Sequence, residues 1–443
     1  MSTMESFVLR YVIRKTRKEL GLRQEDVADK TMSYGTISNI ERGTIKVDNA
    51  LVERYLKKLG LTKLRLKHLI KLEEEKIEIL NYKLEAVESL LNNKRYKEAE
   101  TLLKKVKMER FHPLAPYHAY LEGRICHGKG DYSRAEKHYK LAIRLHRQYN
   151  LPARGNIVAT CFNELGICNY VQYQLDKAMD YTEKGLQAYN ENEDGNDVYY
   201  PLKSNKVLYL LTLRQFDAAK QVLNELWESI SQINNTHVVL NLYRYHALIL
   251  QKIKRYDEAV NICKEGIKLA RRNRVTRRYL DLLNVLGSVY LLQKQYEKAI
   301  LQFETVLMHD DSKTFAKCQI DALSRSATLY SELEEHEKAE EFINTALNLS
   351  REVSQKNRLP KVLYVAGCIF FNQGKYKNAI LHLKESVELA EITQDKETQS
   401  KSLLLLSKIF DNMGLESDWI KTVRELHNLQ YSFNREDWFY EVV

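Results

Sequence analysis

The sequence predicts an all-α protein in which a small N-terminal domain precedes a long array of helical hairpins. Gly and Pro are scarce, with 16 and 5 residues among 443, which argues against the many tight turns of an all-β chain. Apolar residues make up 44% and charged residues 29%, a composition typical of a folded protein. Most of the chain after residue 80 also repeats with a period close to 40 residues.

The repeat is marked by an aromatic residue, or Leu or His in its place, followed three positions later by Ala. A Gly or Ala lies twelve positions before most of these alanines, as Gly123 and Gly287 do. Two small residues at a fixed distance indicate two helices that pack closely, with one small residue on each. The alanines are Ala99, Ala135, Ala178, Ala219, Ala259, Ala299, Ala339 and Ala379.

This pattern resembles the tetratricopeptide repeat (TPR), a helix–turn–helix unit of about 34 residues. The resemblance implies that the units stack into a right-handed α-solenoid, and the longer period implies longer helices. It covers eight units and a degenerate ninth, in which Trp419 takes the place of Ala and which we expect to cap the array. Eight units in one register disfavour the alternative, a helical bundle that repeats by accident.

Four short helices are predicted before the repeats. "FVLRYVIRKTRKELGL" ends at Gly21, a helix stop signal, and "RQEDVADKT" follows it. Ser33 is the predicted N-cap of the third helix, "YGTISNIER", which ends at Gly43. "NALVERYLKKLGL" has the apolar spacing of a fourth, amphipathic helix.

This arrangement resembles the helix-turn-helix DNA-binding domain of phage repressors, in which the second helix of the pair enters the major groove. The resemblance implies that Arg17 and Glu41 form a partly buried salt bridge. It also implies that Asn39 pairs with adenine, a contact worth about 1–3 kcal/mol against a wrong base. The residues that it places near base edges or phosphates are Gln24 with its backbone N–H, Ser33, Tyr34, Gly35, Thr36, Asn39, Arg42, Lys46 and Arg10.

The charge distribution favours double-stranded DNA as the partner of this domain. Residues 1–72 hold 16 Lys/Arg and 8 Asp/Glu, whereas the rest of the chain is close to neutral although the whole carries +10. A local positive field is typical of proteins that bind phosphate-rich partners. A solvated basic surface, or a helix-turn-helix converted to protein binding, remains the alternative.

Glu41 lies 17 positions after Gln24, one fewer than in the commonest phage-repressor pattern. Together with the repeats, this stretch is similar to the peptide-pheromone-responsive regulators of Gram-positive bacteria, the Rap/NprR/PlcR/PrgX/Rgg group. The similarity implies a cytoplasmic homodimer or higher oligomer, a transcription regulator or repressor, whose repeat domain binds a short signalling oligopeptide. We expect a DNA-binding domain over residues 1–66, a linker helix over 67–80 and a repeat domain over 81–443, whose end, "DWFYEVV", caps the solenoid or joins subunits.

The repeat register predicts where a peptide would lie. Positions three and six before each small residue are expected on the concave face, and several of them are Asn, whose amide can both donate to and accept from a peptide backbone. Arg244 suits a carboxylate, such as a peptide C-terminus. The predicted peptide-binding residues are Asn163, Asn241, Arg244, Asp281, Asn284, Ser324 and Tyr364. Exposed polar residues on any helix face would look similar.

Other classes of function find little support. There is no Gly-rich phosphate loop, HExxH or nucleophile elbow, and the six cysteines are dispersed, so we expect no enzyme activity, no metal and no cofactor. No run approaches the ~18–20 apolar residues of a membrane span, and Arg10 and Arg14 interrupt the early apolar stretch. The alternative function is a scaffold whose repeats bind a folded protein, with the helix-turn-helix as a tether.

Overall fold

The protein is described by a computed structural model over residues 3–151, 154–192, 198–309, 312–353 and 358–434. These residues form α-helices and short 3-10 turns and contain no β-strand, which confirms the all-α prediction. They divide into two compact units, Met1–Tyr209 and Leu210–Val443. The predicted "DWFYEVV" contact lies outside the described residues.

The helix bounds follow the chain in order. The first eleven helices are α1 (Thr3–Glu19), α2 (Gln24–Val27), α3 (Tyr34–Arg42), α4 (Asn49–Lys58), α5 (Lys63–Asn92), α6 (Tyr96–Lys104), α7 (Ala115–Gly128), α8 (Tyr132–Gln148), α9 (Ile157–Val171), α10 (Leu175–Ala188) and α11 (Tyr199–Thr212). The others are α12 (Phe216–Glu228), α13 (Thr236–Lys252), α14 (Tyr256–Arg272), α15 (Thr276–Leu292), α16 (Tyr296–Leu307), α17 (Ser312–Glu332), α18 (His336–Glu352), α19 (Leu359–Asn372), α20 (Tyr376–Ile392), α21 (Lys396–Asn412) and α22 (Glu416–Asn434).

From α5 onward the helices pair into hairpins of the predicted kind. The repeat alanines lie on the second helix of each hairpin and are fully buried. Where the residue twelve positions earlier is Gly, it packs against a ring or branched side chain of its partner helix: a Cβ on Gly123 would lie 2.5 Å from the Tyr139 ring. The repeat marks are therefore close helix–helix contacts, as predicted, and the hairpins build an α-solenoid.

The two helices of a hairpin are joined by a turn that requires a left-handed residue. Lys254 has φ 63° and Gly374 has φ 71°, each five positions before the repeat Ala. The Arg255 N–H then donates to the Leu250 carbonyl oxygen at 2.9 Å, which ends α13 in a Schellman-type cap. Gly414 adopts the same conformation five positions before Trp419, so the ninth unit keeps the register. Trp419 itself is 39% exposed.

The N-terminal domain packs four helices around a core that includes Val12, Ile37 and Tyr55. Helix α5 then runs without a break for 30 residues. It crosses both of the predicted boundaries, at residue 66 and at residue 80, so the linker helix and the first repeat helix are one continuous element.

Candidate nucleic-acid interface and peptide site

Helix α3 is fixed at both ends by the residues that the sequence singled out. The Ser33 hydroxyl accepts a hydrogen bond from the Thr36 N–H at 3.2 Å. Gly43 ends the helix with φ 67°, and its N–H donates to the Asn39 carbonyl oxygen at 2.8 Å. Ile37, on the opposite face, is fully buried. The orientation of the helix face that is open to solvent is therefore fixed.

The open face carries the predicted base-contacting side chains. Tyr34 is 52% exposed and Asn39 is half-buried. Gly35 leaves a gap in this face, because a Cβ there would meet nothing closer than the Ser33 hydroxyl at 3.7 Å. Packing within the protein does not require Gly at this position. The bare backbone is instead open to a partner. Thr36 is half-buried, and Arg42 and Lys46 are exposed beside the end of the helix.

A buried ionic cluster holds the helices of this domain together. Arg17 donates to both oxygens of Glu41, from Nε at 2.6 Å and from Nη2 at 3.0 Å. Tyr55 donates from its hydroxyl at 2.6 Å and Gln24 from Nε2 at 2.7 Å to the same carboxylate. Burial raises the pKa of Glu41, but these hydrogen bonds outweigh it and leave the pKa below its usual value. The pair Arg17–Glu41 expected from the resemblance is present.

Two side chains that the sequence analysis placed on phosphates lie elsewhere. The Gln24 amide donates to Glu41, as described above, and helix α2 has only four residues. Arg10 donates from Nη2 to the carbonyl oxygen of Asn150 at 3.0 Å, and a Cβ on Gly43 would touch its guanidinium. We therefore leave the side chains of Gln24 and Arg10 out of the proposed DNA contacts.

In the repeat region, two of the predicted asparagines serve as links between repeats. Asn163 is 7% exposed and accepts a hydrogen bond from Asn205 Nδ2 at 2.9 Å. It borders a cavity of about 490 Å³ that Tyr117 and Tyr120 also line. Asn284, 3% exposed, donates from Nδ2 to the Cys318 carbonyl oxygen at 2.8 Å. Each amide is thus partly committed to structure and keeps only part of its capacity for a ligand.

Two further predicted residues also have intramolecular roles. The Ser324 hydroxyl donates to the carbonyl oxygen of Ile320, at 2.8 Å within its own helix. Tyr364 is half-buried, and burial together with Cys368 raises the pKa of its hydroxyl. The repeat register predicts only that both residues lie on the concave face. It does not indicate whether their side chains already have partners within the protein.

The predicted residues Arg244 and Asp281 lie in one charged cluster. Arg278 donates from Nη1 to Asp281 at 2.9 Å, and the Cys318 thiol donates to its other oxygen at 3.3 Å. Burial raises the pKa of Asp281, but the charges of Arg244, Arg278 and Arg277 outweigh it and lower the pKa. Asn241 lies one helical turn before Arg244 on α13.

Sequence reasoning missed the other cations of this cluster. Lys317 and Arg325 lie on α17, and Arg358 donates from Nη2 to Asp321 at 2.7 Å. These cations lie outside the repeat register, which includes only positions three and six before each small residue. The basic run "RRNRVTRR" at residues 271–278 was the available signal.

None of the described helices has the length and apolar character needed to cross a bilayer. Within the same residues, no three His, Cys, Asp or Glu side chains come together in a way that could hold a metal ion.

Family comparisons match both parts of the chain. The helix-turn-helix family matches residues 13–66, and the tetratricopeptide repeat family matches residues 84–150, 238–307 and 319–392. No curated protein sequence gives a significant match.

Solved structures share the fold at low sequence identity. A Rap protein complexed with Competence and Sporulation Factor has a TM-score of 0.60 at 14% identity, over 80% of this chain and 98% of that chain. The apo form of the quorum sensor NprR from B. thuringiensis has a TM-score of 0.55 at 17% identity, over 80% of this chain and 99% of that one. NprR in complex with its cognate peptide NprX has a TM-score of 0.50 at 15% identity, over 79% of this chain and 89% of that one.

These matches confirm the domain composition predicted from the sequence. A helix-turn-helix domain precedes tetratricopeptide repeats, and the repeat fold is that of Rap and NprR. The chain is thus a helix-turn-helix protein with tetratricopeptide repeats.

Proposed function

We propose that this protein is a cytoplasmic transcription regulator that binds a double-stranded DNA operator through α3, and whose repeats bind a short signalling oligopeptide. The observation that carries the proposal is the open face of α3. Its cap at Ser33 and its buried support at Glu41 fix the helix, while Tyr34, Gly35 and Asn39 remain open to a partner. The excess of basic residues in the first 72 positions supplies the long-range attraction to phosphates.

A dimer is part of the proposal, because one recognition helix covers only about half of a typical operator. Two copies would place their α3 helices in successive major grooves, about 34 Å apart. A peptide that binds one arrangement of the repeats better than another would change this spacing. Its effect is limited by the difference in its affinity for the two arrangements.

The peptide part of the proposal is supported by the repeat fold shared with Rap and NprR. One of those structures holds Competence and Sporulation Factor and another holds the cognate peptide NprX. In this chain, Asn241 and Arg244 on α13 and Asp281 on α15 supply polar groups that suit a peptide.

The test is selection of duplexes from a random pool, followed by binding of the best duplex at several salt concentrations. Because phosphate contacts release counterions, we expect the affinity to fall at least about tenfold between about 50 and 200 mM salt. Asn39→Ala should weaken the selected duplex by about tenfold, whereas Lys264→Ala on α14 should not. Absence of duplex binding at low salt would contradict the proposal and favour the protein-interaction scaffold.

A further inference from the structure

A basic cluster lies within the unit Leu210–Val443, on helices that begin successive hairpins. Its carboxylates are held by two ion pairs, Arg278–Asp281 at 2.9 Å and Arg358–Asp321 at 2.7 Å. We define the cluster by its cations, which are Arg244 on α13, Arg277 and Arg278 on α15, Lys317 and Arg325 on α17, and Arg358 just before α19.

The charged side chains of the basic cluster are close enough to change one another's pKa values. Desolvation and the positive charges of Arg277 and Arg358 lower the pKa of Lys317. Desolvation lowers the pKa of Arg325 as well, and the nearby Asp321 only partly offsets it. The carboxylates of Asp281 and Asp321 therefore lie among several cations, of which Arg278, Arg325 and Arg358 are half-buried. Positive charge that is partly buried, as it is at these three arginines, is unfavourable unless an anion neutralises it.

Several donor atoms of the cluster are buried without an acceptor among the described residues. They are Nη1 of Arg325 and Nε of Arg278 and Arg358. A buried N–H without an acceptor costs about 1–3 kcal/mol, and more when it is charged. The cluster thus has both the charge and the unused hydrogen-bond donors of an anion site.

Two acceptor atoms on the first helices of these hairpins also lack a partner within the described residues. They are Oδ1 of Asn241, one turn before Arg244, and Oδ1 of Asn284, one turn after Asp281. Asn284 and Asp281 both contact Cys318, through its carbonyl oxygen and its thiol, so this acceptor adjoins the charged groups. A hydrogen phosphate dianion has a single O–H donor, so it cannot donate to both amide oxygens at once. A peptide end offers carboxylates to the arginines and backbone N–H groups to the two amides.

From this pairing of unused donors and acceptors, we infer that the basic cluster binds the C-terminal end of an acidic peptide. The free C-terminal carboxylate and a nearby Asp or Glu side chain would lie against Arg325, Arg278 and Arg358. The backbone N–H groups would donate to Asn241 and Asn284. This inference rests on the proposed function and specifies which peptide the repeats select.

The experiment uses the full chain and two matched pools of synthetic pentapeptides with Asp or Glu at the third position. One pool has free C-terminal carboxylates and the other has C-terminal amides. Equilibrium dialysis followed by mass spectrometry measures how much of each pool the protein retains. We expect the free-acid pool to be retained at least about tenfold better than the amidated pool. A hydrogen bond from Arg to a carboxylate is about twice as strong as one between neutral groups, and a tenfold difference in affinity needs only about 1.4 kcal/mol.

Variants locate the site. Arg325→Met should remove the preference for the free acid, and Lys317→Met, which removes an exposed charge from the same cluster, should reduce it. Lys264→Met, which removes an exposed charge from α14, is the matched control and should retain the preference. Far-ultraviolet circular dichroism verifies that each variant is folded.

The other outcomes separate the inference from the proposed function. Equal retention of both pools would overturn the inference and leave a peptide receptor. Displacement of the free acids by an equal concentration of inorganic phosphate would also overturn it, because the cluster would then be a general anion site. Retention of neither pool by a protein that still binds its selected duplex would overturn the peptide part of the proposed function together with the inference.

Discussion

Arg10 donates a hydrogen bond from Nη2 to the backbone carbonyl oxygen of Asn150, at 3.0 Å, although the two residues are 140 positions apart. The Asn150 side chain in turn donates from Nδ2 to the carbonyl oxygen of Gly43, at 2.9 Å. Arg14 lies beside this contact, with its guanidinium carbon 4.6 Å from the centre of the Phe111 ring. The end of α3 is therefore held directly against the repeat hairpin α7–α8, in addition to its connection through α5.

Removing this contact should loosen the end of α3. Asn150 has φ 41°, so Asn150→Gly keeps the backbone conformation and deletes only the side-chain hydrogen bond. Because one hydrogen bond contributes about 1 kcal/mol, we expect amide hydrogens of residues 40–48 to exchange about fivefold faster. Hydrogen exchange followed by mass spectrometry measures this change.

Asn93→Ala is the control for that experiment. Its side chain donates to the carbonyl oxygen of Ser89, one turn earlier in the chain. Exchange in residues 40–48 should be unchanged in this variant. Unchanged exchange in Asn150→Gly as well would mean that the contact does not hold α3 in solution.

Gly35→Ala should separate stability from DNA binding. An added Cβ would meet only the Ser33 hydroxyl, at the ordinary distance of 3.7 Å, and Ala is the better helix former by up to about 1 kcal/mol. We therefore expect a higher thermal midpoint and, because the methyl group occupies the open face of α3, at least about tenfold weaker binding to the selected duplex. An unchanged duplex affinity would show that DNA does not approach α3 at this position.

The fold could be predicted because its signals are local and repeated. Ala259 and the other repeat alanines recur at nearly constant spacing, and each one reports the same close helix contact. Ser33 and Gly43 likewise mark the ends of α3 through contacts with residues of that helix. Each of these features depends on residues that are close together in the sequence, so a short stretch of sequence is enough to predict it.

Much of the candidate site could not be predicted, because its partners come from other repeats. Asn284 is committed to Cys318, 34 positions later, and Asn163 to Asn205, 42 positions later. Nothing in one repeat shows whether its amide is free for a ligand. The side chain of Arg358 reaches α17 from the start of the next hairpin, so its charge joins a cluster that the single-repeat register does not include.

Protonation of Glu41 should destabilise the N-terminal domain in acid. Its folded-state pKa lies below the usual 4.5, so its contribution is complete above the unfolded-state pKa and is lost as the pH falls through the folded-state value. The groups that face it are Arg17 and Arg14 from α1, Tyr55 from α4 and Gln24 from α2. We expect the urea midpoint of the wild type to fall as the pH is lowered below about 4.5.

Glu41→Gln should flatten this pH dependence. At pH 7 the variant should be less stable by about 3–5 kcal/mol, because Arg17 then keeps a buried charge without its carboxylate. Glu98→Gln, which removes an exposed partner of Arg95, should leave both the midpoint and its pH dependence nearly unchanged. A pH profile of Glu41→Gln as steep as that of the wild type would assign the acid sensitivity to other carboxylates.

The left-handed turn residues of the hairpins should respond to substitution in opposite directions. Lys254 adopts φ 63°, a conformation that is strained for a residue with a Cβ, so Lys254→Gly should stabilise the protein by about 0.5–1 kcal/mol. Gly374 has φ 71° with no atom within 4 Å of an added Cβ, so Gly374→Ala should destabilise the protein by about 1 kcal/mol through backbone strain alone.

Lys252→Gly, inside the last turn of α13, is the control. It should destabilise the protein by up to about 1 kcal/mol, because Gly is a poor helix former. Thermal midpoints of the three variants measure these effects, and a lower midpoint for Lys254→Gly would show that the turn stores no strain at this residue.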